Sequence, residues 1–514
     1  MPSTFLGLNT AYTGLQAYQA AINTTAHNIS NTKTEGYSRQ TTDAQADIAL
    51  RTFNSYGTLG TGVLVTSIKQ IRDEYYDIRY RTNNSNAGQY SVYENYMTQL
   101  ENYLNEYSLE GMTVEWNHLF EALTELQKYP QDNTVRNNVV NCGASLADYF
   151  NNLCTNIRKI QIDANEELKN QCDRVNTLAQ NITELNKQIN MLEVHHGNAN
   201  DLRDQRNKLV DELSAIINVE TYEQDMGEGV TYFTVRANGQ DLVNNYNYNT
   251  LVTEAKKERR NASDADGMYE ITWANGVAFD EYNSTLRGSI KALLDIRDGC
   301  NNAYEVEKNT TDDQGNPKKE LVIEQRRSSN TAYKGVPYYQ SKLNEFVNLM
   351  ADAINSVFEK GETTDGVPGV PFFTIKYDDA AMSAMSVEVN PILVEDNTRL
   401  ATTTNYLDGE AKSDLVDELL AIQSKKIFNG GTGAYFLESI VAAVAIDSEK
   451  ATTFYRNFRN ISHSVQNQRL SVMGVDDDEE ALDLLKYQQA YNLCAKMMSV
   501  MNEVYNKLIN ETGL

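Results

Sequence analysis

The two ends of the chain constrain its fold most, because each carries an unbroken helical pattern. Residues 1–32 contain no Asp, Glu, Lys or Arg, and His27 is their only side chain that titrates near neutral pH. Within them, apolar residues recur every three or four positions, at Phe5, Leu8, Tyr12, Leu15, Ile22, Ala26 and Ile29. This spacing predicts an amphipathic helix with a heptad seam. Ser3 is the expected N-cap of this helix.

The polar face of this N-terminal helix is also unusual, because it carries Asn, Thr and Gln but no charge. A helix face in contact with water normally carries charged side chains. We therefore expect other protein to cover this face too. Gly7, Gly14 and Ala21 lie seven residues apart on one stripe, and Gly is unfavourable inside a helix unless something requires it. The stripe predicts a close approach by a neighbouring element.

The C-terminal end repeats the same spacing, at Leu484, Tyr487, Tyr491, Cys494, Met498, Met501, Tyr505 and Leu508. Gly474-Val475 predicts a turn, and the acids from Asp476 to Glu480 favour a helix N-terminus. The two terminal helices should pack on each other and on neighbouring copies of the chain, with the uncharged N-terminal helix the more enclosed. The free energy gained by burying their apolar side chains is smaller than the backbone-entropy cost of ordering both helices. We therefore expect both ends to be largely disordered in the free monomer and to fold when copies stack.

The middle of the chain predicts a helical bundle. One long seam ends near a turn at His195-His196-Gly197-Asn198; its members are Ala164, Leu168, Val175, Leu178, Ile182, Leu185, Ile189 and Leu192. A second helix should begin at Asn200 or Asp201, one of which caps it, and should complete a helical hairpin. Leu202, Leu209, Leu213 and Ile216 should face inward on that second helix. Another helix is expected over residues 338–360, with Leu343, Phe346, Leu349, Met350, Ile354 and Val357 inside.

Between these helices the pattern changes to strands. Residues 230–236 and 269–274 have strand patterns, and Asn238-Gly239 and Asn275-Gly276 follow them as hairpin turns. Residues 372–377 and 385–389 predict further strands, whereas the charged stretch 309–334 predicts an exposed loop. The expected fold class is α+β and multidomain: a long helical bundle or coiled coil formed by both chain halves, with an inserted β-rich outer domain. We predict paired terminal helices (1–33 with 476–514), a helical bundle domain (34–218, 288–360 and 406–475) and the β-rich domain (219–287 with 361–405).

The composition argues against several functions. The formal net charge of −26 makes nucleic acid and anionic lipid unlikely partners. No apolar run has the length of a membrane span, and the N-terminus lacks the basic region of a secretory signal peptide. The five widely spaced Cys predict core residues rather than disulfides or a zinc site. No motif for a metal, a cofactor or a catalytic nucleophile is present. We expect neither enzymatic activity nor a cofactor.

Three motifs carry a resemblance to a known family. Residues 26–40, Ala-His-Asn-Ile-Ser-Asn-Thr-Lys-Thr-Glu-Gly-Tyr-Ser-Arg-Gln, resemble the N-terminal signature of flagellar rod, hook and hook-associated proteins. The end of this stretch, from Gly36 to Gln40, is most similar to the FlgK family of hook–filament junction proteins. Residues 478–480 with 485–491 resemble the matching C-terminal signature, in which Asp476 replaces the usual Asn. Residues 200–213 resemble an internal motif of the same family.

The resemblance, which covers residues 1–220, 287–360 and 385–514, implies a structural adaptor of the bacterial flagellum. It implies a ring of copies between the hook protein and the second junction protein, an export chaperone that binds the C-terminal helix, and type III export. The assembly residues would be Phe5, Leu8, Tyr12, Leu15, Ile22, Ile29, Leu484, Tyr487, Tyr491, Met498, Met501, Tyr505 and Leu508. Two alternatives stay open. One is another axial subunit, such as a hook or rod protein. The other is a surface-exposed enzyme or adhesin on axial ends, for which Trp273 and Tyr269 are the only hints.

Overall fold

The computed structural model describes the chain except for residues 1–4, 52–56, 109–111, 196, 228, 312–316, 326–331, 364, 378–379, 410–411 and 512–514. Helices account for 59% of the described residues, and the strands form small antiparallel sheets, so the α+β class is confirmed. The N-cap expected at Ser3 lies outside the described residues. No described helix is long and apolar enough to cross a membrane.

The helices include several that are far longer than those of an average globular domain. Their bounds are α1 Leu6–Asn31, α2 Glu74–Ser108, α3 Met112–Lys128, α4 Asn133–Glu193, α5 Asn200–Ile216, α6 Ser289–Asp298, α7 Val336–Phe358, α8 Pro391–Glu395, α9 Asp414–Ile422, α10 Gly433–Met473 and α11 Asp477–Asn510. Short 3₁₀ turns cover Asn397–Arg399 and Tyr406–Asp408.

The strands pair almost entirely with their neighbours in sequence. Their bounds are β1 Gln40–Ala46, β2 Leu50–Arg51, β3 Thr58–Leu59, β4 Val63–Gln70, β5 Val219–Gly227, β6 Val230–Ala237, β7 Gln240–Asn244, β8 Asn247–Tyr248, β9 Leu251–Ala255, β10 Tyr269–Trp273, β11 Ala303–Thr311, β12 Pro317–Gln325, β13 Phe373–Ile375 and β14 Val387–Val389. The four strands β5–β8 form one meander, and the others form two-stranded ribbons.

The chain forms two compact units. Unit 1 comprises residues 1–85, 175–250 and 459–514, and unit 2 comprises residues 86–174 and 251–458. The three-part division expected from the sequence stays a prediction. In unit 1, α1 and α11 pack on each other, and α1 also contacts the β1–β4 ribbon. The β5–β8 sheet places Phe233 beneath the Arg206 guanidinium, 3.7 Å from the ring centre.

An aromatic cluster forms the core of unit 2. Phe346 of α7 lies at its centre, with ring centres 5.0 Å from Phe428, 5.5 Å from Phe150 and 5.6 Å from Trp116. The helix predicted over 338–360 is therefore confirmed, as are its buried Leu343, Phe346, Met350, Ile354 and Val357. Leu349 of the same prediction is only half-buried. Cys154, Cys172 and Cys300 are buried free thiols, as the sequence predicted of most of the cysteines.

Several strand and turn predictions are confirmed. The 230–236 strand is β6, and Asn238-Gly239 at its end has positive φ angles of 48° and 78°, as a hairpin turn of this type requires. The strand predicted at 269–274 is β10, and the strands at 372–377 and 385–389 are the short β13 and β14.

The loop predicted over 309–334 is wrong. The end of β11 and all of β12 lie in this stretch and form a regular ribbon, in which Ala303 is opposite Gln325. Across the ribbon, Lys308 Nζ lies 2.9 Å from Glu324 Oε1. Residues 309–311 and 318–325 of the ribbon are exposed or half-buried, so their sequence shows charge rather than the alternation of a strand with one buried face. Residues 312–316 and 326–331 of the predicted loop lie outside the described part.

The helical hairpin of α4 and α5 is confirmed, but not in every detail. Arg203 Nε of α5 lies 2.7 Å from Glu193 Oε1 at the end of α4. Ala199, not Asn200 or Asp201, precedes the first turn of α5, and no side chain caps it. Leu192, expected in the α4 seam, is 50% exposed, and Leu185, Leu202 and Leu209 are only half-buried. His196 of the predicted turn lies outside the described residues.

Candidate assembly interface

The terminal helices α1 and α11 run antiparallel along each other within unit 1. The rings of Phe5 and Tyr505 are 4.9 Å apart at one end of the pair. Those of Tyr18 and Tyr487 are 6.5 Å apart further along. At the other end, Thr32 Oγ1 donates a hydrogen bond of 2.7 Å to Asp477 Oδ1. Contacts therefore extend over the whole length of α1.

The small-residue stripe of α1 lies against α11. A Cβ added to Gly7 would come 2.5 Å from Met501 Cε, and one added to Gly14 would come 3.1 Å from Cys494 Sγ. The face that α1 buries consists of small and polar residues, namely Ala11, Gly14, Ala17, Ala21, Thr24, Thr25 and Asn28. The close approach predicted from the glycine stripe is confirmed. The reason is that a larger side chain at these positions would push the two helix axes apart.

The apolar residues predicted for the α1 seam lie beside this stripe rather than in it. Leu8, Leu15, Ile22 and Ile29 are half-buried, whereas Phe5 and Tyr12 are 51% and 47% exposed. On α11 the predicted residues Leu484, Tyr487, Tyr491, Met498, Met501 and Tyr505 are half-buried and Leu508 is 52% exposed. Their role in assembly stays a prediction.

The expectation that α1 is the more enclosed of the two helices is confirmed. Seven residues of α1 are buried, whereas Glu480 is the buried residue of α11. A second apolar stripe of α11 is exposed. Its members are Leu508, which the sequence analysis named, and Leu482, Leu485, Leu493, Met497, Val500, Val504 and Ile509, which it did not. We call these residues the outer stripe. From Leu482 to Leu508 it has the three-four spacing of the seam, with Gln489 in one slot, and this spacing is the signal that could have revealed it.

A buried polar cluster joins the end of α1 to the start of α11. The Asn28 amide donates to Glu480 Oε2 at 3.1 Å and to the Gln40 carbonyl at 2.9 Å. The Tyr37 hydroxyl donates to Asn28 Oδ1 at 2.7 Å, and the Gln40 N–H donates to the same oxygen at 3.0 Å. Asn28 and Glu480 are each 1% exposed. The amide thus uses both its donors and its acceptor to hold three segments together.

Arg39 completes this cluster by binding the acid-rich first turn of α11. Its Nε donates to Glu480 Oε1 at 2.6 Å, and its Nη1 donates to Glu479 Oε2 at 2.9 Å. Burial lowers the pKa of Arg39, but the hydrogen bond and charge of Glu480 outweigh burial and raise it above its usual range. Asp476 caps α11 by accepting from the N–H groups of Asp478 and Glu479, which confirms the predicted helix start.

The internal motif at residues 200–213 meets the same cluster from α5. Ser38 donates to Asp204 through its N–H, at 2.8 Å, and through its hydroxyl, at 2.7 Å. Gln40 Nε2 donates to Asp201 Oδ1 at 2.7 Å. The three motifs, at residues 26–40, 200–213 and 478–491, are widely separated in sequence and yet meet at one place in the fold. Nothing in their spacing could have revealed this meeting point.

Buried ion pairs extend the cluster through residues that sequence reasoning missed. Arg72 binds Asp77 at 2.6 Å and Asp204 at 3.1 Å. Asp211 accepts from Arg81 at 2.7 Å and from Arg469 at 2.6 Å. Burial raises the pKa of Tyr37, and the nearby charges of Asp201, Asp204 and Glu480 raise it further. The phenol therefore stays a neutral hydrogen-bond donor in this acidic surrounding.

No group of three His, Cys, Asp or Glu within the described residues is placed to hold a metal ion. Trp273 is buried and packs on Phe279, with ring centres 5.9 Å apart, so it is a core residue of unit 2. His195 is exposed in the turn after α4.

Comparison with known proteins assigns the chain to a family. Residues 97–373 match the family model for the flagellar hook-associated protein FlgK helical domain. This match covers more than half of the chain, which belongs to the FlgK family of flagellar hook-associated proteins.

Full-length relatives of the chain are flagellar hook-associated proteins by name. The chain is 27% identical to flagellar hook-associated protein 1 of Bacillus subtilis, over 100% of this chain and 99% of that one. It is 25% identical to the protein of the same name from Escherichia coli, over 98% and 99% of the two chains. A structure of the flagellar hook junction protein FlgK from Burkholderia pseudomallei aligns with a TM-score of 0.43 and 18% identity. That alignment covers 58% of this chain and 46% of the other.

Proposed function

We propose that this protein is a structural, non-enzymatic subunit of the bacterial flagellum that joins the hook to the filament. Copies would assemble into a ring by packing their terminal helices, with the hook protein on one side and the second junction protein on the other. The observation that carries this proposal is the outer stripe of α11, which is apolar, periodic and exposed in a single chain. Such a stripe on a helix needs a protein partner.

The predicted assembly residues fit this proposal. Leu8, Leu15, Ile22 and Ile29 are half-buried along the edge of the α1–α11 pair, so a second copy could complete their burial. The uncharged polar face of α1 is also compatible with cover by neighbouring chains. A coiled-coil contact between copies would use the outer stripe of one chain and the α1 edge of the next.

Delivery to the flagellum would use the flagellar type III export route, with a dedicated chaperone on the C-terminal helix before assembly. An exposed apolar helix needs such cover in the cytoplasm, because it would otherwise drive aggregation. In the single chain α1 and α11 pack on each other, so the disorder of both ends expected in the free monomer stays a prediction without structural support. Amide exchange on the dilute chain measures this directly, and strong protection of residues 5–29 would contradict it.

The function is tested by deleting the gene and imaging the cells. We expect hooks without filaments and filament protein released into the medium. Re-expression of the intact chain should restore the filaments. Loss of the hook itself would contradict the junction role and would favour a hook or rod subunit instead.

A further inference from the structure

A cavity of about 530 Å³ opens in unit 2, away from any residue assigned to assembly. Side chains from α4, α7, β11 and β12, from the segment after β9 and from the described residues between β13 and β14 form its wall. Its volume lies within the range of small-molecule binding sites. Hydroxyl and amide groups dominate the wall, and Leu321 and Met385 add apolar surface. A cavity of this size and polarity can take a small polar molecule.

The charge of the wall is opposite to that of the protein. Arg158, Arg259 and Lys376 line the cavity against one carboxylate, that of Glu307. Glu307 is already engaged, since its Oε1 accepts a hydrogen bond of 3.1 Å from the Ala381 N–H. Arg259 is the residue of the basic stretch 256–260 that lines the cavity, and it is already paired with Asp266, so Arg158 and Lys376 supply the remaining positive charge of the wall.

Arg158 is the cation best placed to receive an anion. Its Nη1 lies 3.8 Å from Met385 Sδ, and its Nη2 lies 3.4 Å from the Asp264 carbonyl oxygen. Both contacts are long, and no described carboxylate forms an ion pair with Arg158, although its charge reaches Asp266 at longer range. Asp266, which could otherwise do so, is held by Arg259 through two hydrogen bonds of 2.7 Å. A guanidinium with unused donors matches the two oxygens of a carboxylate.

The remaining polar groups of the cavity wall can form hydrogen bonds with the hydroxyl groups of a ligand. Gln340 lies in the wall and is buried, and neither atom of its amide has a hydrogen-bond partner among the described residues. A hydroxyl can satisfy both atoms, because it accepts from the amide N–H and donates to the amide oxygen. Asn152, Thr155 and Ser383 add further groups that pair with hydroxyls.

We propose that this cavity binds an acidic sugar of the uronic-acid class, with its carboxylate on Arg158 and its hydroxyls on the amide and hydroxyl groups of the wall. The site is independent of the proposed junction role. It would give unit 2 a ligand-binding capacity that the terminal helices neither need nor affect.

Calorimetric titration of the full-length chain with D-glucuronate tests the proposal. We expect saturable binding with one site per chain, and weaker binding of both neutral glucose and inorganic sulfate. Arg158→Gln should weaken glucuronate binding at least about ten-fold, since the charge-assisted pair is lost. Lys159→Gln is the matched control, because Lys159 is the exposed neighbour on the same helix and does not line the cavity.

A second variant covers the case in which Arg158→Gln fails to fold. Thr155 is exposed at the rim of the cavity, so Thr155→Glu should fold normally and repel the ligand carboxylate. The proposal is overturned if glucuronate does not saturate, or if glucose binds equally well. Equal binding of sulfate would overturn the sugar assignment, and equal loss in the Arg158 and Lys159 variants would overturn the site.

Discussion

Glu480 connects the start of α11 to the rest of unit 1 through two partners. It binds Arg39 and Asn28, and its own side chain is almost fully enclosed. A buried carboxylate with these partners holds three chain segments in one geometry, whereas an exposed acid in the same turn could be replaced with little effect. The two neighbouring acids of this turn should therefore respond very differently to mutation.

Replacement of Glu480 by Ala should destabilise the protein by roughly 2–3 kcal/mol. The cost lies below the 3–5 kcal/mol of a fully buried broken pair, because Arg39 is 21% exposed and water can partly solvate it. Urea unfolding of the full-length chain measures the change. Glu479→Gln is the matched control and should change the free energy of unfolding by less than about 0.5 kcal/mol. Equal effects of both variants would show that the buried pair has no special role.

Glu305 in unit 2 should make stability depend on pH. Burial raises its pKa above the usual 4.5, although hydrogen bonds from Ser263 and Asn344 act in the opposite direction. The folded state therefore binds this proton more tightly than the unfolded state does. The stabilisation is complete below pH 4.5 and is lost as the pH rises through the folded-state pKa.

Glu305→Gln should consequently flatten the pH profile of the free energy of unfolding. Its amide can donate to Ser263 Oγ and accept from Asn344 Nδ2, so the contacts of the site survive. The experiment compares chemical unfolding of both proteins from pH 4.5 to neutral pH. Parallel profiles for the two proteins would mean that Glu305 titrates alike in the folded and unfolded states.

At the scale of elements, the α1–α11 pair depends on small residues that let two helices approach closely. Gly7 and Gly14 face Met501 and Cys494, and the buried face of α1 has no large apolar side chain. Large apolar residues of α1 stay at the edge of the pair, where they are available to a further helix. The two helices thus lie close together at the glycines, and the edges of the pair carry the larger apolar side chains.

Gly14→Cys should form a disulfide with Cys494 under mild oxidation. The new Cβ would lie 3.1 Å from Cys494 Sγ, a separation that an S–S bond of about 2.05 Å can bridge. Non-reducing electrophoresis and peptide mapping of the purified chain distinguish this bond within one chain from a bond between copies. Gln16→Cys, on the exposed side of α1, is the control and should not form it. A bond in the control alone would contradict the antiparallel packing.

At the scale of the whole molecule, the outer stripe of α11 is the feature that points beyond a single chain. A combined Leu493→Gln and Val500→Gln variant should leave the chain folded, because both side chains are largely exposed. It should weaken assembly, because each Å² of apolar surface that the contact between copies no longer buries costs about 25 cal/mol of free energy. Cells that carry this variant should show hooks with few filaments.

Leu407→Gln provides the matched control for that variant. Leu407 is 75% exposed in unit 2 and lies outside the terminal helices, so its replacement should leave the filaments intact. Normal filaments in the Leu493 and Val500 variant, with normal export of the chain, would contradict an assembly role for the outer stripe.

The sequence predicted several of the helices and strands but few of the contacts between residues that are distant in sequence. Periodicity identified α1, α7 and α11, because one face of each is regularly apolar or small over many turns. It failed for the end of β11 and for β12, where the described side chains are exposed or half-buried and no apolar alternation marks a strand. It also failed for the polar cluster, because Asn28, Asp204 and Glu480 show no signal of burial until their partners are known.

The sequence by itself determined the helices α1, α4, α5, α7 and α11, the close approach along the glycine stripe and the start of α11 at Asp476. These features depend on residues within a few turns of one another, so local spacing is enough to specify them. Only the tertiary structure decided that the three separate motifs meet around Asn28 and that α11 keeps a second apolar stripe exposed. Contacts between residues hundreds of positions apart depend on how the whole chain folds back on itself, and no local pattern records that.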